Sequence, residues 1–195
     1  VPITIKTKKE DLVVDVDEEP LKFNKDKIKQ LRPAFNKDGT ITAGNASSIN
    51  DGAAAVLLSS KKRLLELNLK PKARIIAHTS VAIEPLYFTK APIEAITAVL
   101  ENSNLTIDEI DLFEINEAFS CVTMVAMKAL NLDKNKVNIF GGAVSLGHPI
   151  GASGSRILVT LLNALELKKK RFGIAAICIG GGEASAMIVE RITND

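Results

Sequence analysis

The chain has 195 residues, 46% hydrophobic and 25% charged, with 25 Lys and Arg against 23 Asp and Glu for a net charge of +2. That balance suits one globular unit plus extra elements, with ample apolar material for a core. It excludes a dedicated nucleic-acid surface, which needs basic side chains gathered on one face, and no apolar stretch approaches the ~20 residues of a membrane helix.

Residues 1–40 are rich in Lys and Asp, with short extended pieces at 1–5 and 11–16 and a short helix near 25–31. Such a stretch has too little apolar content to fold alone and must pack against something. Residues 52–59 read as a buried strand of small residues. Ser60 then caps a helix over 61–68, whose Leu64, Leu65 and Leu67 form an apolar side. A strand follows over 73–83, with His78 as a core or edge residue. Pro92 suits the first turn of a helix running to 102, with Ile93, Ile96 and Leu100 on one face. Thr106 and Glu109 have capping-box spacing ahead of a strand at 110–115. A helix over 117–130 ends at Asn131, and a strand is expected at 137–140. In the helix 153–167, Ile157, Leu158, Leu161, Leu162 and Leu165 share a face. The basic run Lys168-Lys169-Lys170-Arg171 at its end reads as a solvated terminus complementing the helix dipole. Strands at 173–179 and 184–191 are joined only by a glycine turn and must be antiparallel. The alternation predicts an α/β fold with a mostly parallel sheet, covered by helices and closed by one reversed strand.

Three segments carry candidate chemistry. Asn116-Glu117-Ala118-Phe119 lies at a strand-to-helix switch, where open α/β sheets place ligands. The loop 141–151 holds Gly147-His148-Pro149, and Cys178-Ile179-Gly180-Gly181-Gly182 follows after one helix and one strand. Imidazole and thiol beside side-chain-free backbone suit acyl-thioester chemistry: the imidazole activates or orients a thiol, and glycine backbone offers N–H donors to a developing oxyanion. The bland alternatives are a core cysteine for Cys178 and a helix cap for Asn116. Cys121, on an apolar helix face, reads as core, and Glu117 as a structural holder of backbone. Neither glycine loop fits a phosphate or dinucleotide pattern. The two cysteines read as thiols of a reducing compartment, and with the two histidines they make no metal cluster.

In this order and spacing, Asn116-Glu117-Ala118-Phe119, Gly147-His148-Pro149 and Cys178-Ile179-Gly180-Gly181-Gly182 resemble the thiolase signatures. The run Thr42-Ala43-Gly44-Asn45-Ala46-Ser47-Ser48-Ile49-Asn50-Asp51-Gly52-Ala53-Ala54-Ala55 resembles the thiolase segment lining the pantetheine tunnel. Glu84-Pro85 and Phe88 resemble the short-chain, acetyl-CoA acetyltransferase branch, with Thr89 where Pro is frequent. The resemblance spans about residues 1–192 and implies a layered α/β/α/β/α thiolase fold, of which this chain supplies the C-terminal mixed sheet. It implies residues 1–50 as the end of the loop domain, 51–69 as the last strand and helix of the N-terminal domain, and 70–195 as the C-terminal domain. The thiolase nucleophile is a cysteine upstream of everything here, so the chain is expected to be the C-terminal part of a longer subunit, inactive alone.

The resemblance also assigns roles. Cys178 matches the acid/base cysteine; His148 and a water held by Asn116 form one oxyanion hole, and the Gly180 N–H belongs to a second. Phe35, Ala46, Ser47, Ala118 and Phe119 match substrate-binding positions, and carbonyls near Ala43, Gly44, Ala46 and Val144 match a potassium site found in some relatives. Coenzyme A enters as substrate, with no cofactor required. A homodimer or homotetramer is implied, packed on the N-terminal half, in the cytoplasm or mitochondrial matrix. The alternatives are a related condensing enzyme, or a non-catalytic half that pairs with a separate N-terminal chain.

Overall fold

The structure is a computed structural model that describes residues 1–193, so the last two residues of the 70–195 unit lie outside it. The polar N-terminal stretch forms a hairpin, β1 (Ile3–Lys6) against β2 (Asp11–Val14), exposed throughout, and a single turn of helix, α1 (Lys25–Ile28). Ser60 caps α2 (Lys61–Glu66), its hydroxyl accepting from Arg63 N–H at 3.2 Å. From residue 73 the apolar periodicities take over: β3 (Ala73–Ala82), α3 (Ala91–Ser103), β4 (Leu112–Ile115), α4 (Ser120–Leu130), α5 (Ala143–Leu146), α6 (Ser153–Leu167), β5 (Phe172–Cys178) and β6 (Glu183–Arg191).

The sheet runs β3-β6-β5-β4. β6 is antiparallel to both neighbours, and β5 is parallel to β4. Three strands therefore point one way and the last is reversed, as the pattern predicts. Its placement was not legible: the tight glycine turn folds β6 back between β5 and β3, so only one of the pairings is parallel. Gly182, at φ +102°, makes that turn, and its carbonyl accepts from Ile83 N–H at 2.9 Å.

Helices cover both faces. On one, Ala95, Ile96 and Val99 of α3 and Val122 and Ala126 of α4 pack on Phe113, Ile115, Ile174, Ala176 and Ile188. On the other, Ile157, Leu161 and Leu165 of α6 pack on Leu112, Ala175 and Val189. The basic run is tied down at this end, Arg171 pairing with Glu190 at 2.7 Å and Lys170 with Asp111 at 3.5 Å.

Three expectations are corrected. Residues 52–59 are unladdered and exposed except for the half-buried Ala54 and Val56, with Leu57 at 89%, because no strand among the described residues pairs with them. At 137–140 only Val137 bridges, parallel to Phe113; Asn138 turns to φ +45° and leaves the ladder. α4 begins at Ser120 because Phe119 is held extended by a bridge to Ala46. Of the two places open to His78, core or edge, it takes the edge, exposed on β3.

Candidate active site

The site grows from the carboxyl end of β4. Asn116 keeps the ladder one step longer, its N–H donating to Ala176 O at 2.9 Å. Asn138 caps the strand from the side: its Oδ1 accepts from Ile115 N–H at 2.8 Å and its Nδ2 donates to Ile115 O at 2.9 Å. Glu117 ties this turn to the glycine loop, its carboxylate accepting from Asn138 Nδ2 and from Val144 N–H, both at 3.1 Å. A Cβ on Gly142 would collide with that carboxylate, which is why a glycine stands there. Glu117 is thus a holder of backbone.

His148 is fixed from three directions. Gly147, at φ +89°, turns the chain against Asn50, and His148 N–H donates to Ser48 O at 2.9 Å. Imidazole Nδ1 lies 2.5 Å from Ser153 Oγ, whose hydroxyl donates to Pro149 O at 3.0 Å. With its one proton committed there, the serine accepts from the imidazole, so the Nδ1 atom carries the ring proton. Nε2 then presents its lone pair to Asn116 Nδ2, 3.3 Å away. Asn116 is 1% exposed and its Oδ1 is buried without a protein partner, leaving an acceptor for a donor arriving with substrate or solvent. Burial, reinforced by the Arg156 guanidinium, pushes the imidazole below its ordinary pKa, so it is neutral at pH 7.

Cys178 ends the adjacent strand. Its side chain lies in the α3/α4 cluster, 7% exposed, on the face of the sheet opposite Asn116. Burial, with the Cys121 thiol nearby, pushes it up to about 11, so it is a protonated thiol at neutral pH. No hydrogen bond joins it to His148; the two groups flank the end of the sheet from opposite sides. Two residues on, the Gly180 N–H makes no hydrogen bond among the described residues, and the space a Cβ would take there is open.

The 45–50 segment is stitched to both the Asn116 turn and the His148 loop. Ser47 N–H and Oγ both donate to Ala118 O, at 3.1 and 2.9 Å, and Ser120 N–H donates to Asn45 O at 2.9 Å. Ile49 bridges His148. Phe35 meets Phe119 edge-on at 5.8 Å, and Phe119 meets Phe88 at 6.3 Å, an aromatic row beside the turn. Phe35, Ala46, Ser47, Ala118 and Phe119 are thereby gathered into one surface. The carbonyls of Ala43, Gly44 and Ala46 accept no hydrogen bond among the described residues, and Val144 is tied to the same turn through Glu117.

Sequence reasoning missed Ser153, Asn138, Glu114 and Arg156. Glu114 had a signal: a carboxylate inside the apolar strand Leu112-Phe113-Glu114-Ile115. Arg156 had another, sitting beside the apolar stripe of α6. Ser153 reads as an ordinary helix start, since only the loop geometry brings it back to His148.

The C-terminal domain model of the thiolase family matches residues 69–191, and its N-terminal domain model matches residues 1–62. An acetyl-CoA acetyltransferase of Yarrowia lipolytica is 50% identical over 194 residues, covering 100% of this chain and 48% of that protein. One from Saccharomyces cerevisiae is 50% identical over 196 residues, covering 98% and 49%. Among solved structures, the acetyl-CoA acetyltransferase of Bacillus anthracis superposes with a TM-score of 0.93 at 41% identity, covering 98% of this chain and 49% of that one. The Acat5 thiolase of Ascaris suum, solved in complex with coenzyme A, gives 0.84 at 44% identity, covering 92% and 47%. The chain spans about half the length of the relatives it matches. The motif-bearing loops, the sheet that presents them and these matches agree: the chain belongs to the thiolase family.

Proposed function

We propose that this chain is the C-terminal part of a thiolase of the acetyl-CoA acetyltransferase type, which condenses two acetyl-CoA to acetoacetyl-CoA and CoA and runs the reverse thiolysis. The observation that carries the reading is the hydrogen-bonded series Asn116–His148–Ser153, which leaves a neutral imidazole whose unprotonated Nε2 faces Asn116 at the mouth of the sheet. A nucleophilic cysteine from the N-terminal half passes its proton to that Nε2 and attacks the thioester carbonyl of acetyl-CoA. The imidazolium N–H then donates to the oxyanion. As the C–S bond breaks, the departing CoA thiolate takes the Cys178 proton, and a thiol pushed up to about 11 is well suited to hold it until then. The Cys178 thiolate removes a proton from the α-carbon of a second acetyl-CoA. The enolate, stabilised at His148 and at the water held by Asn116, attacks the acyl group, whose oxyanion is held by the Gly180 N–H. Collapse expels the nucleophile as thiolate, and the His148 proton returns to it. Charge appears on both an enolate and a tetrahedral intermediate, so two donor sets are required.

On this reading residues 1–50 close the loop domain and carry the pantetheine surface of Phe35, Ala46 and Ser47, with Ala118 and Phe119 opposite. Residues 51–69 belong to the N-terminal domain and 70–195 form the C-terminal domain. A potassium ion would be held by the neutral carbonyls of Ala43, Gly44, Ala46 and Val144, a donor set that suits a monovalent cation. The assembly is a homodimer or homotetramer in the cytoplasm or mitochondrial matrix; no helix among the described residues is long and apolar enough to cross a membrane.

In the complete subunit, Cys178→Ala is expected to abolish condensation while the nucleophile is still slowly acylated by acyl-CoA, read as a mass increase. His148→Ala is expected to impair acylation as well. Equal loss of acylation in both variants overturns the division of roles. The 195-residue chain alone is expected to show no thiolysis of acetoacetyl-CoA, and turnover by it would transfer the nucleophile's role to Cys178.

A further inference from the structure

Side chains alternate between faces along β4. Phe113 and Ile115 join the α3/α4 cluster whereas Leu112 joins the α6 cluster, so Glu114 and Asn116 continue the α6 stripe. On α6, Ser153 and Arg156 are three residues apart and share a face. Beneath the Asn116–His148–Ser153 series therefore lies a second layer, Glu114 from the strand and Arg156 from the helix. Glu114 is 2% exposed in an apolar strand. Arg156 is half-buried, its Nε is buried without a partner, and no ion pair among the described residues includes it. A guanidinium in a low-dielectric interior with no carboxylate clamped to it acts on its neighbours at a distance.

We propose that Arg156, with Glu114 kept as a neutral acid beside it, is a positioning layer under Asn116 and His148 that holds the imidazole uncharged and ready to take a proton at Nε2. Among the other groups around it, the Glu117 carboxylate, in the turn after β4 and hydrogen-bonded to Asn138 and Val144, acts on Arg156 as an opposite charge, whereas at His148 the guanidinium is the charge that is felt. β5 and β6 present Ala175, Ile177, Met187 and Val189 to this layer, and α5 carries no ionisable side chain. Lys136, in the turn before the glycine loop, sends its ammonium to Ile110 O at 3.1 Å. Burial pushes Glu114 up to about 8, so below that pH it adds no negative charge next to Arg156. Burial and Arg156 together lower His148. The use made of the proton rests on the acyl-transfer reading above; the charge layer itself is measurable without turnover.

The test is an NMR titration of the full 195-residue chain with isotope-labelled histidine, in which only His78 and His148 report and His78→Gln assigns them. Arg156→Met is expected to move the His148 midpoint to higher pH, and Arg156→Lys to restore it. Glu114→Gln is expected to leave the midpoint in place and to remove the second inflection, near pH 8, that ionisation of Glu114 impresses on the His148 signal. An unmoved midpoint in folded Arg156→Met overturns the proposal. Should that variant fail to fold, absence of the alkaline inflection in the wild type, or its survival in Glu114→Gln, overturns it equally. In the complete subunit, the acidic limb of the acylation pH–rate profile should move upward in Arg156→Met and return in Arg156→Lys, whereas a merely structural role lowers the rate without moving the limb. Titrations that shift as expected in an enzyme that transfers no acyl group would sink the acyl-transfer reading and leave the charge layer standing.

Discussion

At Asn116 the geometry separates two readings that the sequence left open. A helix cap must bond the first free N–H groups of its helix, but α4 starts at Ser120 with Phe119 in the cap position, and the Asn116 amide points at His148 instead. Asn116→Ala is therefore expected to lower kcat of the complete enzyme by roughly 10²–10³, the usual loss of one oxyanion donor. A mere cap would instead cost about 1 kcal/mol of stability with kcat nearly intact. Asn116→Asp sharpens the test: it offers no N–H to Nε2 and sets a charge against a developing enolate, so near-normal turnover would rule the role out. Asn116, His148, Cys178 and Gly180 stood out in the sequence because they fall in glycine-flanked or strand-end motifs that resemble the thiolase signatures, and the structure brings Asn116 and His148 together while setting Cys178 on the other face of the sheet. Ser153 and Asn138 did not stand out, since each acts on a partner that only the folded loops bring within reach. Gly142 shows how such loops constrain sequence: Gly142→Ala is expected to dislodge the Glu117 carboxylate from Val144 and lower the thermal midpoint.

Elements were legible where their periodicity was long. α3, α6, β5 and β6 fall where the apolar spacing puts them, because a full helix face or strand alternation averages over single exceptions. Short elements failed where a tertiary bond outweighed local preference, as at 137–140, where Asn138 leaves the ladder to cap β4. Within β4, Glu114 gives the fold a pH dependence. Its folded pKa of about 8 lies above the ordinary 4.5. The folded chain therefore keeps a proton that the unfolded chain releases between those values, and stability falls as pH rises from about 4.5 to about 8. Glu114→Gln should flatten that decline and be the more stable protein at pH 8. The difference is on the order of a few kcal/mol, since each tenfold change in proton affinity is worth about 1.4 kcal/mol. Urea denaturation at pH 5 and pH 8 measures it, and parallel losses in the two proteins would contradict it. His148, lowered instead, has the opposite sign: its contribution is lost as pH falls below its ordinary 6.5.

At the scale of the whole molecule, the sheet and its helices were foreseeable, whereas the exposure of 52–59 was not, because burial belongs to what lies beside a strand. Leu57, Leu58, Leu64 and Leu65 line a groove of ≈ 1410 Å³ with Pro71 and Leu158. Adding a separately made N-terminal thiolase half is expected to raise the thermal midpoint of the chain, and an unchanged midpoint would argue against docking there. The 45–50 segment is held to Ala118 and Ser120 at one end and to His148 at the other. A strap fastened at both ends transmits load. On the proposed reading, an arm that seats against Ala46 and Ser47 also tensions the imidazole, so binding far from the reacting carbon helps to place the group that moves the proton. A thioester stripped of its pantetheine arm should then suffer in kcat and not in KM alone, even though its reactive carbonyl is unchanged.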